Sequence, residues 1–130
     1  MHTTLLPDGW PRPKGYANGV SATGTESIYV GGQIGWNSQC IFETTDFIAQ
    51  VRQALLNITD ILRAAGAAPE HITRMTWYIT DKEAYTSRLS ELGAVYREVL
   101  GKHFPAMSVV VVAALIEDEA LVEIEATAVK

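Results

Sequence analysis

Apolar residues recur at spacings of three and four between Asp46 and Ala65, at Ile48, Val51, Leu55, Ile58, Leu62 and Ala65. A helix turns once every 3.6 residues, so this spacing makes one apolar stripe and predicts a helix over the segment. Thr44 or Thr45 suits its N-cap, Asp46 the positive end of its dipole and Gly66 its stop. From Ile72 to Thr80 the period changes to two. Met75, Trp77 and Ile79 share one side, and Arg74, Thr76, Tyr78 and Thr80 share the other, which predicts a strand. A second helix is predicted from Lys82 to Leu100. Tyr85, Leu89, Leu92, Tyr96 and Val99 face inward, with Asp81 as N-cap and Gly101 at the end.

Pro7, Gly9, Pro11 and Pro13 predict an irregular, extended segment over residues 1–15. Val20–Thr23 and Ile28–Gly31 flank Gly24-Thr25-Glu26-Ser27 and read as a hairpin. Gly31-Gly32-Gln33-Ile34-Gly35 permits close backbone approach to a strand or a ligand, or forms a bulge or bend. Phe104-Pro105 opens a strand expected to reach Leu115, Glu117-Asp118-Glu119 makes a charged turn, and a last strand runs from about Leu121 to Val129. The order is ββ-α-β-α-ββ, one domain over residues 1–130: an α+β sandwich with two helices on one face of a mixed sheet. Val109–Val112 is apolar on both sides, so both faces of that strand are expected to be buried. The helices can cover only one face. A partner subunit on the other is the simplest cover, which makes the chain a homo-oligomer.

Composition narrows the function. The chain is 48% apolar and 19% charged, as globular proteins are, and its longest apolar run, Val109 to Ile116, is strand-sized. MHTTLLPDGW lacks the basic-then-apolar pattern of a secretory signal, so a cytoplasmic protein with no membrane partner is expected. A net charge of −5 with scattered Lys and Arg argues against a nucleic-acid partner. Cys40 is the single cysteine, and lone cysteines are mostly inert. His2, His71 and His103 have no ligand-like spacing, so no metal site is expected.

Glu123 and Glu125 share one side of the last strand, in a run otherwise built from Val122, Ile124 and Ala126. Two readings stand: a proton-handling pair at a subunit boundary, or charges on an exposed edge. His103 precedes the Phe104-Pro105 strand entry and is either solvated or within reach of a site there. Trp36, beside the glycine-rich turn, either packs or fills a cleft.

Pro105-Ala106-Met107-Ser108, the apolar run ending Ala113-Ala114-Leu115, a six-residue turn and Val122-Glu123-Ile124-Glu125 resemble the C-terminal signature of the YjgF/RidA family. That signature reads Pro-Ala-Arg-Ser, a β-rich stretch, then Glu-Ile-Glu. Gly15-Tyr16-Ala17-Asn18 and Gly31-Gly32-Gln33-Ile34 are similar to its N-terminal and glycine-turn motifs, as are Ala64-Ala65-Gly66-Ala67 and Thr80-Asp81. The resemblance runs essentially end to end. It implies a chorismate-mutase-like fold, a homotrimer with a small-molecule site in each inter-subunit cleft, and cofactor-free hydrolysis of imines and enamines. It also implies that Glu123 orients water or passes a proton, that Tyr16 lines the cleft, and that Ser108 belongs to its substrate-binding wall.

Met107 stands where the family signature has the arginine that holds a substrate carboxylate. Losing such a contact costs roughly 2–5 kcal/mol, or about 30- to 4,000-fold. Gly31, Gly93 and Val109 stand where the family has Ser, Asn and Cys, which makes a roomier, more apolar substrate site into which Trp36 can project. The resemblance therefore implies a C=N hydrolase for a substrate larger or less polar than 2-iminobutanoate, a 2-aminomuconate-type intermediate for example. Lys14 or Arg12 would then hold a distant carboxylate. The alternatives are a non-catalytic small-molecule-binding trimer, and a ribonuclease or translation inhibitor, against which the charge of −5 counts.

Overall fold

The computed structural model describes residues 2–130. β1 (His2–Leu5) and β2 (Gly19–Ala22) form an antiparallel ribbon. β3 (Ser27–Ile34), β4 (Ile72–Ile79), β5 (Ala106–Val111) and β6 (Val122–Val129) form a mixed sheet in the order β3-β6-β4-β5. β6 lies antiparallel to both β3 and β4, and β4 runs parallel to β5. The helices are α1 (Phe47–Ala64), α2 (Lys82–Thr86) and α3 (Leu89–Leu100). This is the expected α+β sandwich. Val51, Leu55, Ile58 and Leu62 of α1 are fully buried against Met75, Val122 and Ile124 of the sheet. Burial of each Leu or Ile side chain contributes about 1.5–3 kcal/mol.

Several expectations are corrected. β2 pairs with β1, not β3, and residues 2–5 are therefore strand rather than irregular. The loop before β3 is drawn to the chain end instead: Thr25 and Glu26 N–H groups both donate to the Lys130 carbonyl, at 2.8 and 2.9 Å. The second helix breaks at Ser87–Arg88. Arg88 has φ −128° and its guanidinium bridges Asp46 (2.8 Å) and Glu91 (2.7 Å). β5 stops at Val111, because β4, its ladder partner, ends at Ile79. Within one chain Val110 is 41% and Val111 54% exposed, which leaves the end of β5 open on both faces where a partner subunit was expected to cover one.

Asp46, rather than Thr44 or Thr45, caps α1. Its carboxylate accepts from the Ala49 N–H at 3.0 Å, while Thr44 Oγ1 accepts from the Asp46 N–H. The Arg88 hydrogen bond, and then the Ala49 one, hold its carboxyl below the ordinary value of 3.8. Asp46→Ala is expected to lose about 1 kcal/mol in urea denaturation at neutral pH. The stabilisation is present above the ordinary carboxylate range and is lost as pH falls through the depressed value. The gap between wild type and variant therefore closes in acid.

Candidate functional site

Strand parity sorts the candidate residues. In the β4–β5 ladder Met107 sits beside Met75 and Val109 beside Trp77, so both face the helices. Ser108 sits beside Thr76 and faces the opposite, open side of the sheet. The Ala17 N–H donates to the Pro105 carbonyl at 2.9 Å, which ties the segment after Gly15 to the start of β5 and sets Tyr16 there. Tyr16, Gly93, Met107 and Val109 meet in one helix-side cleft of about 570 Å³.

Aromatic packing builds its walls. Phe104 stacks on Tyr96 with centroids 5.6 Å apart, and Trp77 meets Tyr85 edge-on at 6.4 Å. The Tyr96 hydroxyl donates to the His103 carbonyl, which anchors the strand entry. Burial pushes the Tyr85 and Tyr96 hydroxyls upward, so both stay neutral. Lys14 and Arg97 complete the lining with two cations; Arg12 is not among the lining residues. His103 itself lines a separate hollow beside Glu70 and Lys102.

The open face carries the acids. Glu123 and Glu125 project there, since Val122, Ile124 and Ala126 point into the core. The Tyr78 hydroxyl donates to Glu125 Oε1 at 2.5 Å, and this bond raises the Tyr78 hydroxyl above its ordinary value. Gly31-Gly32 forms a bulge: Val30 pairs with Ala126 and Gln33 with Ile124 across it. A Cβ on Gly32 would lie 2.3 Å from Glu123 Oε2, so the glycine is what lets that carboxylate lie against β3. Gly31 borders an open hollow with Arg74, Thr76 and Glu125. Trp36 belongs to neither place; it packs on Phe42 at 5.7 Å, and its carbonyl accepts from Asn57. Among the described residues no three His, Cys, Asp or Glu side chains converge as a metal site would need, and no helix is long and apolar enough to cross a membrane.

The candidate residues thus fall into two groups on opposite faces of the sheet. Tyr16, Gly93, Met107 and Val109 lie on the helix side, and Glu123, Ser108 and Gly31 on the open side. Sequence reasoning missed Arg97, whose one signal was a glycine four residues earlier on the same helix.

Fold and cleft define a small α+β protein with a cation-rimmed apolar cleft beside the edge strand of a mixed sheet. The family described as endoribonuclease L-PSP matches residues 11–130. The chain is 33% identical over 134 aligned positions to the 2-iminobutanoate/2-iminopropanoate deaminase of Escherichia coli, covering 100% of this chain and 99% of that one. A Rid-family protein of unknown function from Yersinia pestis superposes with a TM-score of 0.88 at 28% identity, over 99% of this chain and 98% of that one. A YjgF-family protein of Mycobacterium tuberculosis is 36% identical with a TM-score of 0.65, over 90% of this chain and 88% of that one. The chain belongs to the endoribonuclease L-PSP family, the YjgF/RidA family that the Pro105 and Glu123 motifs indicate.

Proposed function

We propose that the chain is a cofactor-free hydrolytic deaminase of reactive imines or enamines, with a substrate larger or less polar than 2-iminobutanoate. The observation that carries the reading is the split between the two groups of residues. A helix-side cleft with Tyr16 and an open-face carboxylate at Glu123 make one site when the open face of one copy meets the cleft edge of another. Exposed Val110 and Tyr29 on that open face favour such an assembly, read here as a homotrimer.

The chemistry needs little. Water attacks the imine carbon, forming the C–O bond, and its proton passes to the nitrogen. The resulting carbinolamine then breaks its C–N bond, releasing ammonia and leaving the ketone. Glu123 suits the proton transfers, and the Tyr16 hydroxyl suits positioning. No step calls on a cofactor. A ribonuclease reading, which the family's description invites, is disfavoured by the net charge of −5.

Met107 leaves the β5 side of the cleft without the guanidinium that the family signature places there for a small 2-imino acid, and Arg97 reaches the cleft from α3 instead. The test is ammonia release from imines generated in situ, comparing 2-iminobutanoate with bulkier imines such as a 2-aminomuconate-type intermediate. The wild type is expected to favour the bulkier ones. Met107→Arg is expected to raise turnover of 2-iminobutanoate by about 30-fold or more. A wild-type rate on 2-iminobutanoate equal to that of the Escherichia coli relative would sink the substrate assignment. Ligand binding with no ammonia release from any imine would favour the non-catalytic binding trimer instead.

A further inference from the structure

The helix-side cleft has two cations and no carboxylate to meet them. Trp77 lies in its wall, and the indole N–H, itself buried, has no hydrogen-bond partner among the described residues. Lys14 and Arg97 line the same cleft, and among the described residues neither appears in an ion pair or side-chain hydrogen bond, as is also true of Arg12, Arg74, Lys82 and Lys102 outside it. No carboxylate lines the cleft. Such an imbalance fits a ligand that brings acceptors and negative charge.

The placement of Arg97 has a cause in the helix. Residues four apart on a helix are neighbours on its surface, and Gly93 lies four before Arg97. A Cβ on Gly93 would lie 3.2 Å from Arg97 Nη1, closer than an ordinary contact. The guanidinium therefore occupies the space that a side chain at position 93 would fill. The rest of the wall is apolar or aromatic, with Trp77, Leu92, Phe104, Met107 and Val109 among it.

We infer that Arg97 is the anion-reading residue of this cleft, and that its ligands are carboxylates carried on an aromatic or similarly bulky apolar body. Gly93 makes the room, Arg97 supplies two parallel N–H donors, and Met107 meets the apolar body. The inference deepens the proposed function by naming its substrate class, and it rests on that reading only for the bond that reacts.

The experiment is calorimetric titration of the full-length chain with 3-phenylpropanoate and with its neutral isostere 3-phenylpropanamide. The wild type is expected to prefer the carboxylate by about tenfold, as a charge-assisted contact gives. Arg97→Gln is expected to abolish the preference while the amide binds as before, and Arg97→Lys to keep part of it. Gly93→Asn fills the guanidinium's place and is expected to reduce the preference with the helix retained in circular dichroism. Retention of the full preference in Arg97→Gln overturns the inference, as does failure of the wild type to bind the carboxylate at millimolar concentration. The two proposals fail separately. A carboxylate preference that needs Arg97, without ammonia release from the matching aromatic 2-imino acid, overturns the deaminase reading alone. Ammonia release with a preference indifferent to Arg97 overturns this inference alone.

Discussion

Replacing Gln50 with leucine is expected to destabilise the protein by about 2–4 kcal/mol and lower its thermal midpoint by roughly 10 °C. Among the described residues Gln50 is the one polar side chain in the fully buried set. Its Nε2 donates to the Thr44 carbonyl at 3.1 Å and to the Glu119 carbonyl at 3.0 Å, while its Oε1 accepts from the Leu121 N–H at 2.9 Å. One amide therefore ties the loop before α1 to the charged turn and to the entry of β6. Leucine fills the volume and leaves all three backbone groups without that partner. Gln50→Glu is the sharper variant. An ionised carboxylate cannot donate to either carbonyl, so burial raises the folded-state pKa of the new acid above its unfolded value. Its stability is then greatest below the ordinary glutamate range and is lost as pH rises through the raised value. Thermal melts of Gln50→Glu in acid and at neutral pH check this. Equal midpoints, relative to wild type, would refute the two-donor role of Gln50.

What was legible in the sequence was what local periodicity controls. The α1 stripe, the β4 alternation and the side of β6 on which Glu123 lies all follow from positions a few residues apart. The errors arose where distant residues decide. Glu26 turns towards Lys130 because backbone bonds join them, and His2 pairs with Ala22 across a proline-rich connection. The break at Ser87–Arg88 is held by Asp46, 42 residues away in the chain. The site shows the same division. Tyr16, Gly93, Met107 and Val109 follow from family motifs and line one cleft, whereas Trp36, open in the sequence between packing and filling a cleft, packs on Phe42. Arg97 has the pattern of an ordinary exposed helix charge. Only the missing Cβ at Gly93 gives its direction meaning.

Glu123→Gln is expected to reduce ammonia release by about 100- to 10,000-fold with the assembly intact, the range that loss of a positioned proton carrier produces. The isosteric amide keeps the volume beside Gly32 and removes the titrating oxygen. Gly32 provides an independent route to the same carboxylate. Its φ is not positive, so alanine can adopt the backbone there, and the new methyl group meets Glu123 Oε2, Cδ and Cγ within 2.9 Å. The atoms in the way belong to the far end of a flexible side chain. Gly32→Ala should therefore swing the carboxylate aside with little loss of stability, and lower turnover about tenfold or more, since catalytic groups tolerate little misplacement. The double variant separates cause from coincidence. If Gly32→Ala acts by moving the carboxylate, it adds almost nothing in the Glu123→Gln background, because two changes to one catalytic unit are not additive. A full additional loss in the double variant would place the effect of Gly32 in the backbone of β3 and detach it from Glu123.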